Sequence, residues 1–328
     1  MKSTTGRRGR LMLSVLFLGL VLTSWFYRWP LYDWLQLRNY TPNPAIILVA
    51  DQTSMKVQAR HFFYLNHPQI QPNPAFSASC PNNGGEQTIV LGCYQSHETG
   101  IFLYKVTDAK LNGVIQVTAA HETLHAIYER LSSRDKKYVN GLLEDYFEHQ
   151  LHDNRILKTL AAYKKSEPND VLNEMHSIFG TEVVDLPPAL ENYYQRYFTN
   201  RKQIAAYAQH YQNAFVSRQD QVMADDAKLK VLKQRIESLE RSLQSQYETL
   251  TGDKKHLDTL LASNQVAAYN SAVPSYNQAV NTYNRDVATA RQLIDEYNKL
   301  VKERNDVALE ENELVKAIDS RPNTIMNE

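Results

Sequence analysis

From Ile204 to Ile318 apolar side chains recur at seven-residue intervals. One row contains Phe215, Val222, Leu229, Ile236, Leu243, Leu250 and Leu257, and Tyr211, Leu232, Leu239 and Leu260 fall in its matching row. A second segment carries Val273, Val280, Val287, Ile294, Val301 and Val315, partnered by Tyr276, Tyr283, Ala290 and Tyr297. Rows kept over this many heptads commit this part of the chain to long helices that bury a common seam. Thr251-Gly252-Asp253 and Ser263-Asn264 are candidate turns. Pro274 suits the first turn of a helix that restarts near residue 271. The expectation for residues 204–318 is an antiparallel hairpin of two helices. A parallel dimer of one long helix would satisfy the same rows, and self-association or a protein partner through this coiled coil is a candidate role.

The remaining residues read differently. "AIILVA" (45–50) is a short apolar run expected to form a buried strand. Residues 54–66 have helical spacing. "TIVLGCY" (88–94) and "GIFLYKV" (100–106) are rich in β-branched and aromatic residues and predict an antiparallel hairpin. Beyond Asp108 the pattern is helical, punctuated by Glu167-Pro168-Asn169-Asp170 and Pro187-Pro188. The fold class expected is α+β, mainly helical. A small domain over residues 45–200 precedes the coiled coil, and residues 319–328 form a disordered tail. The chain has 36 basic and 36 acidic side chains and so no net charge. No bulk attraction to nucleic acid follows, and no nucleic-acid partner is expected.

Residues 1–10 hold Lys2, Arg7, Arg8 and Arg10 and no acid, and residues 11–27 hold no charge. As a helix the apolar stretch would span roughly 25 Å, near the lower limit for a bilayer. Trp25, Tyr27 and Trp29 stand at its far end, and no small-residue cleavage site follows it. These features predict a single-pass anchor, a cytoplasmic N-terminus, a linker over 28–44 and an extracytoplasmic remainder. Cys80 and Cys93 lie in a segment with Pro81 and Gly84-Gly85. A turn there can bring them together as a disulfide, and two unpaired thiols are the alternative.

"AAHETLHAIYERL" (119–131) carries the chemistry. His121 and His125, four residues apart on a helix, lie about 40° apart around its axis, so both imidazoles can meet one ion. Glu122 follows the first histidine and can move a proton without binding the metal. Val114, Val117, Leu124, Tyr128 and Leu131 mark the apolar face, and polar residues beside a core need a reason to be there. A catalytic zinc takes three protein ligands. No histidine lies six residues after His125, so the third ligand comes from elsewhere. "DVLNEMHSIFGTEV" (170–183) offers Glu174, Glu182 and His176. Tyr193, Tyr194, His176 and Arg196 are nearby candidates to stabilise an oxyanion.

At these two motifs the chain resembles the gluzincins, zinc metallopeptidases with HExxH on one helix and a glutamate ligand on a later one. Asn173-Glu174-Met175-His176-Ser177 matches the first five positions of an Asn-Glu-x-x-Ser-Asp motif, and Ile178 replaces the aspartate. The resemblance implies a zincin-like domain, ligands His121, His125 and Glu174, Glu122 as general base, and one zinc ion. It also implies an edge strand that binds a peptide or protein substrate, for which 100–106 is the candidate. The function expected is a membrane-anchored zinc metalloprotease acting outside the cytoplasm. Two other readings compete: an anchored scaffold with a structural or vestigial metal site, and a zinc hydrolase of a non-peptide amide.

Overall fold

The computed structural model describes residue 17 and residues 28–81, 90–96 and 100–321. The chain divides into two compact units, Met1–Gln212 with Ala317–Glu328, and Asn213–Lys316. Along the chain the second unit is an insertion into the first.

The first unit is helical over residues 28–37 (α1). The segment expected as a linker is therefore largely helical. Next comes α2 (Pro44–Gln52), over the run expected as a strand. The local signals at its start explain the difference. The Asn43 side chain accepts from the Ile46 N–H at 3.0 Å, and Pro44 occupies the first turn. Together these cap a helix whatever the apolar run prefers. After α3 (Val57–Leu65) come β1 (Gln69–Gln71), α4 (Ala75–Ser79), β2 (Gly92–Gln95) and β3 (Gly100–Tyr104). The sheet order is β1-β3-β2, with β1 parallel and β2 antiparallel to β3. The expected antiparallel pair is present over 92–95 and 100–104, while residues 88 and 89 lie outside the described residues. Strand β3 is central and β2 is an edge, so the strand expected to receive a peptide is paired on both sides.

Helices α5 (Val114–Arg130), α6 (Ser133–His149), α7 (Asn154–Ser166), α8 (Val171–Glu182) and α9 (Pro188–Tyr194) follow. Helix α5 runs through the middle of the core. Its Ala119, Ala120, Leu124 and Ile127 are buried among Ile46 and Val49 of α2, Phe63 of α3, Ile101 and Leu103 of β3, and Met175, Ile178 and Phe179 of α8. Each large apolar side chain so buried contributes about 1.5–3 kcal/mol. Cys80 and Cys93 are joined by a disulfide with Cα atoms 6.0 Å apart, which ties the end of α4 to β2. Residues 319–321, expected within a disordered tail, are bonded to this unit. Ser77 Oγ donates to Ser320 O at 2.8 Å, and Ser320 Oγ donates to Val90 O.

The second unit is formed by the greater part of α10 (Arg201–Ala262) and α11 (Val266–Ile318). They run antiparallel: Arg218 pairs with Glu310, Arg304 with Asp226, and Gln246 with Asp286. The expected helical hairpin is thus present in one chain. Leu232, Leu257, Leu260 and Ala290 of the heptad rows are buried, as are Leu293 and Leu314 from outside the rows, whereas Ile294 of the second row is exposed. The turn falls at 263–265, and α10 runs unbroken through Thr251-Gly252-Asp253. Pro274 lies inside α11 rather than at its start. Asp225 is buried in the seam, held by Gln221 at 2.9 Å and Lys228 at 3.0 Å.

Among the described residues no helix is long and apolar enough to cross a membrane. Helices α10 and α11 have the length but carry charges throughout, and α2 is apolar but has nine residues. This overturns the expectation of a single-pass membrane protein, which rested on residues 11–27. Apart from Phe17, that segment lies outside the described residues, as do residues 1–10.

Candidate metal centre

Helix α5 starts at Gly113, whose φ of 106° is open to glycine and strained for other residues. A Cβ there would also lie 2.8 Å from Tyr207 Cβ. Helix α8 crosses α5 at a second glycine. Gly180 lies inside α8, which continues to Glu182. A Cβ on Gly180 would lie 2.4 Å from Leu124 Cδ1 and 2.8 Å from Tyr194 Cε1. The missing side chain lets the two helices approach, and Glu174 thereby meets the histidines of α5.

His121 Nε2 and His125 Nε2 are 3.0 Å apart. Glu174 Oε1 lies 3.5 Å from His125 Nε2, and Oε2 lies 3.7 Å from His121 Nε2. One ligand atom from each of the three residues falls within 4.8 Å of the others. The cluster can hold a metal ion, and one detail supports that fit. Glu174 Oε2 is buried and has no hydrogen-bond partner, an arrangement costly for a carboxylate unless a cation satisfies it. Burial opposes charge on both sides of the pair. Even so, the pairing with Glu174 and the nearby carboxylates push the His121 pKa up to about 9. The same histidines, with the Tyr163 hydroxyl, hold Glu174 below its usual range despite its burial.

Glu122 is buried beside the ligands. Burial raises its pKa, while His121, His125 and a hydrogen bond from the Tyr94 N–H act the other way. That N–H belongs to the edge strand. Tyr104 N–H donates to Leu91 O at 2.8 Å, and in an antiparallel ladder this turns the backbone groups of Gly92 and Tyr94 away from β3. Gly92 is also where β2 presses on α5, since a Cβ there would lie 2.3 Å from Thr118 Cγ2 and 3.2 Å from Glu122 Cγ. The cluster opens into a cleft of about 620 Å³, walled by Val90–Tyr94 on one side and by Tyr163, Glu167, Asp170, Asn173, Glu182 and Tyr211 on others.

The other candidates are placed elsewhere. Glu182 lines the cleft, but Arg155 binds its Oε2 at 2.5 Å and Gln212 at 3.1 Å. His176 is fully buried behind α5, bonded to the Tyr193 hydroxyl at 2.9 Å. Burial pushes its pKa down to about 3, so it is a neutral core histidine. Tyr193 and Tyr194 are core residues too, and Arg196 lies over the Tyr193 ring. None of these four lines the cleft. Four tyrosines do: the Tyr94 and Tyr128 hydroxyls donate to Glu129 and Asn140, and Tyr163 and Tyr211 were not singled out in the sequence as site residues. Tyr211 was counted in the heptad row, where its spacing concealed it. Ile178 stands where the motif has an aspartate and is buried in the core, so it offers His121 no carboxylate.

No protein-family model matches the chain, and neither a curated protein nor a solved structure matches it.

Proposed function

We propose that the protein is a zinc-dependent hydrolase of peptide bonds, with His121, His125 and Glu174 as ligands and Glu122 as general base. The observation that carries this reading is Glu122 itself. It adjoins the three-residue cluster and is held by the backbone of an edge strand that borders the same cleft. Two imidazoles and one carboxylate favour zinc over magnesium or calcium, and three protein ligands leave a position open for chemistry. Bound zinc supplies Lewis acidity toward water and toward a substrate carbonyl.

The chain's own groups do the rest. Burial raises the Glu122 pKa, the direction that suits a carboxylate to take a proton from water and return it to a leaving amine. Burial raises the Tyr211 pKa and so keeps its hydroxyl protonated, a donor for developing negative charge on the carbonyl oxygen. The outward backbone of Gly92 suits an extended peptide laid along β2, and this favours a peptide over other amides. The two-motif resemblance to gluzincins supports the zincin-like reading, with Ile178 as the departure from it.

The test is metal content and cleavage of an unfolded protein by the purified full chain, beside Glu122→Gln. The expected result is stoichiometric zinc in both and cleavage in the wild type alone. Equal cleavage by the two, or zinc without cleavage by either, would refute the assignment.

A further inference from the structure

We infer that Ser320 is a specificity-determining residue that closes one end of the peptide-binding edge, so that short peptides are removed from one terminus of the substrate rather than by cuts in mid-chain. This role rests on the hydrolase reading above. Tyr104 N–H donates to Leu91 O, so the backbone groups of Val90, Gly92 and Tyr94 point away from β3, along the free edge of β2. All three residues line the cleft. They are not equally available to a substrate. The Tyr94 N–H is bonded to Glu122. Gly92 stands beside the general base, since a Cβ there would lie 3.2 Å from Glu122 Cγ. Val90 O is already taken, because the Ser320 hydroxyl donates to it.

An extended peptide added to the edge would offer a backbone N–H to that carbonyl. Ser320 stands in its place and is firmly held. It is 6 % exposed. Ser77 Oγ donates to the Ser320 carbonyl at 2.8 Å, and the Tyr104 hydroxyl donates to Asp319 O at 3.4 Å. Side chains of α4 and β3 thus fasten the residues after α11 to the start of β2. A substrate strand that runs past Gly92 in this direction meets residue 320 at Val90. Extended chain advances ~3.3 Å per residue, so about two substrate residues fit between the position opposite Gly92 and the stop. A longer stretch must bend off the edge and lose its main-chain hydrogen bonds. Only a chain that ends there keeps them, which favours a substrate terminus at that end of the cleft.

The experiment measures binding with the register fixed at the metal. Zinc-loaded full-length Glu122→Gln is titrated with alanine peptides of one to six residues that carry a hydroxamate, a bidentate zinc chelator, at one end. In one series the hydroxamate replaces the terminal carboxylate. In the other it is attached to the amino terminus, so the two series leave the metal in opposite directions. One series is expected to gain affinity over the first two residues and to lose at least tenfold by the fourth. The other should gain or hold affinity through the sixth. Adding Ser77→Ala and Ser320→Ala removes both side-chain bonds that hold residue 320, and the loss should shrink to under threefold at unchanged zinc content. Should that variant fail to fold, Ser320→Ala alone makes the comparison. A loss in neither series, a loss in both, or a loss that survives the variants would overturn the stop. Acetohydroxamate separates the two readings. If it does not bind, the metal centre fails and the stop falls with it; if it binds and length has no effect, the stop alone fails. A length limit in a wild type that cleaves nothing sinks hydrolysis and spares the stop.

Discussion

Replacing Gly180 by alanine adds one methyl group at the place where α8 crosses α5. That methyl would stand 2.4 Å from Leu124 Cδ1 and 2.8 and 3.2 Å from two Tyr194 ring carbons. Carbon atoms settle at about 3.5–4.0 Å, so the contact with Leu124 must open by roughly 1 Å. Leu124 and Tyr194 are both fully buried and have little room to turn aside. Overpacking of this kind costs about 1–3 kcal/mol. Alanine returns about 0.5–1 kcal/mol through its better helix propensity. The net effect on melting is therefore small, a fall of about 0–10 °C at about 2–4 °C per kcal/mol. The metal site is the sharper reporter. Glu174 is on the same helix, and metal–ligand distances tolerate about 0.2 Å. A shift of even half the required opening takes the carboxylate out of range, and zinc affinity should drop at least tenfold in a chelator competition. Gly141→Ala is the control, because nothing lies within 4 Å of its added carbon. It should leave zinc affinity unchanged and raise the melting temperature slightly. Wild-type zinc affinity in Gly180→Ala would refute the account of how α8 positions Glu174.

Glu174→Ala should lose zinc, while Glu182→Gln should retain it, since Arg155 and Gln212 already occupy Glu182; retention by the first and loss by the second in a metal assay would reverse the assignment. Glu122→Gln should lower turnover about 10²–10⁴-fold, the usual contribution of a general base, and a deficit under tenfold would point to another base. Metal-free His121 holds a proton up to a pH of about 9, so zinc must displace it. Affinity should rise about tenfold per pH unit from 7 toward 9 and level off above, and calorimetry in two buffers should detect proton release at pH 7.5; a flat profile would contradict the pairing with Glu174. Asp225→Leu should raise the melting temperature of the hairpin, because an apolar residue suits the seam better than a buried carboxylate, and circular dichroism on the full chain reports the change.

The parts of this protein that were legible in the sequence are those set by fixed spacing. The heptad rows imposed two long helices, and the i, i+4 histidines with a following glutamate marked one helix as the candidate centre. Where two local signals competed, the reading failed. The apolar run at 45–50 looked like a strand, but the Asn43 cap and Pro44 made it a helix. The linker expected over 28–44 is helical over 28–37. Strand β1 has three residues and no pattern of its own; it exists because β3 offers it a free edge. The choice of Glu174 over Glu182 depended on the α5–α8 crossing, where Gly180 supplies a close approach. Tyr163 and Tyr211 reach the cleft from helices far apart in sequence, which no spacing rule records.

The inserted hairpin has a geometric consequence of its own. Arg218 near its outgoing end pairs with Glu310 near its returning end at 3.0 Å, so the chain departs and comes back side by side. Seven residues added to both helices, or removed from both, would move the turn and leave every seam contact below it in phase. The hairpin's length can therefore change in steps of about 10 Å per heptad while the register of its seam is kept.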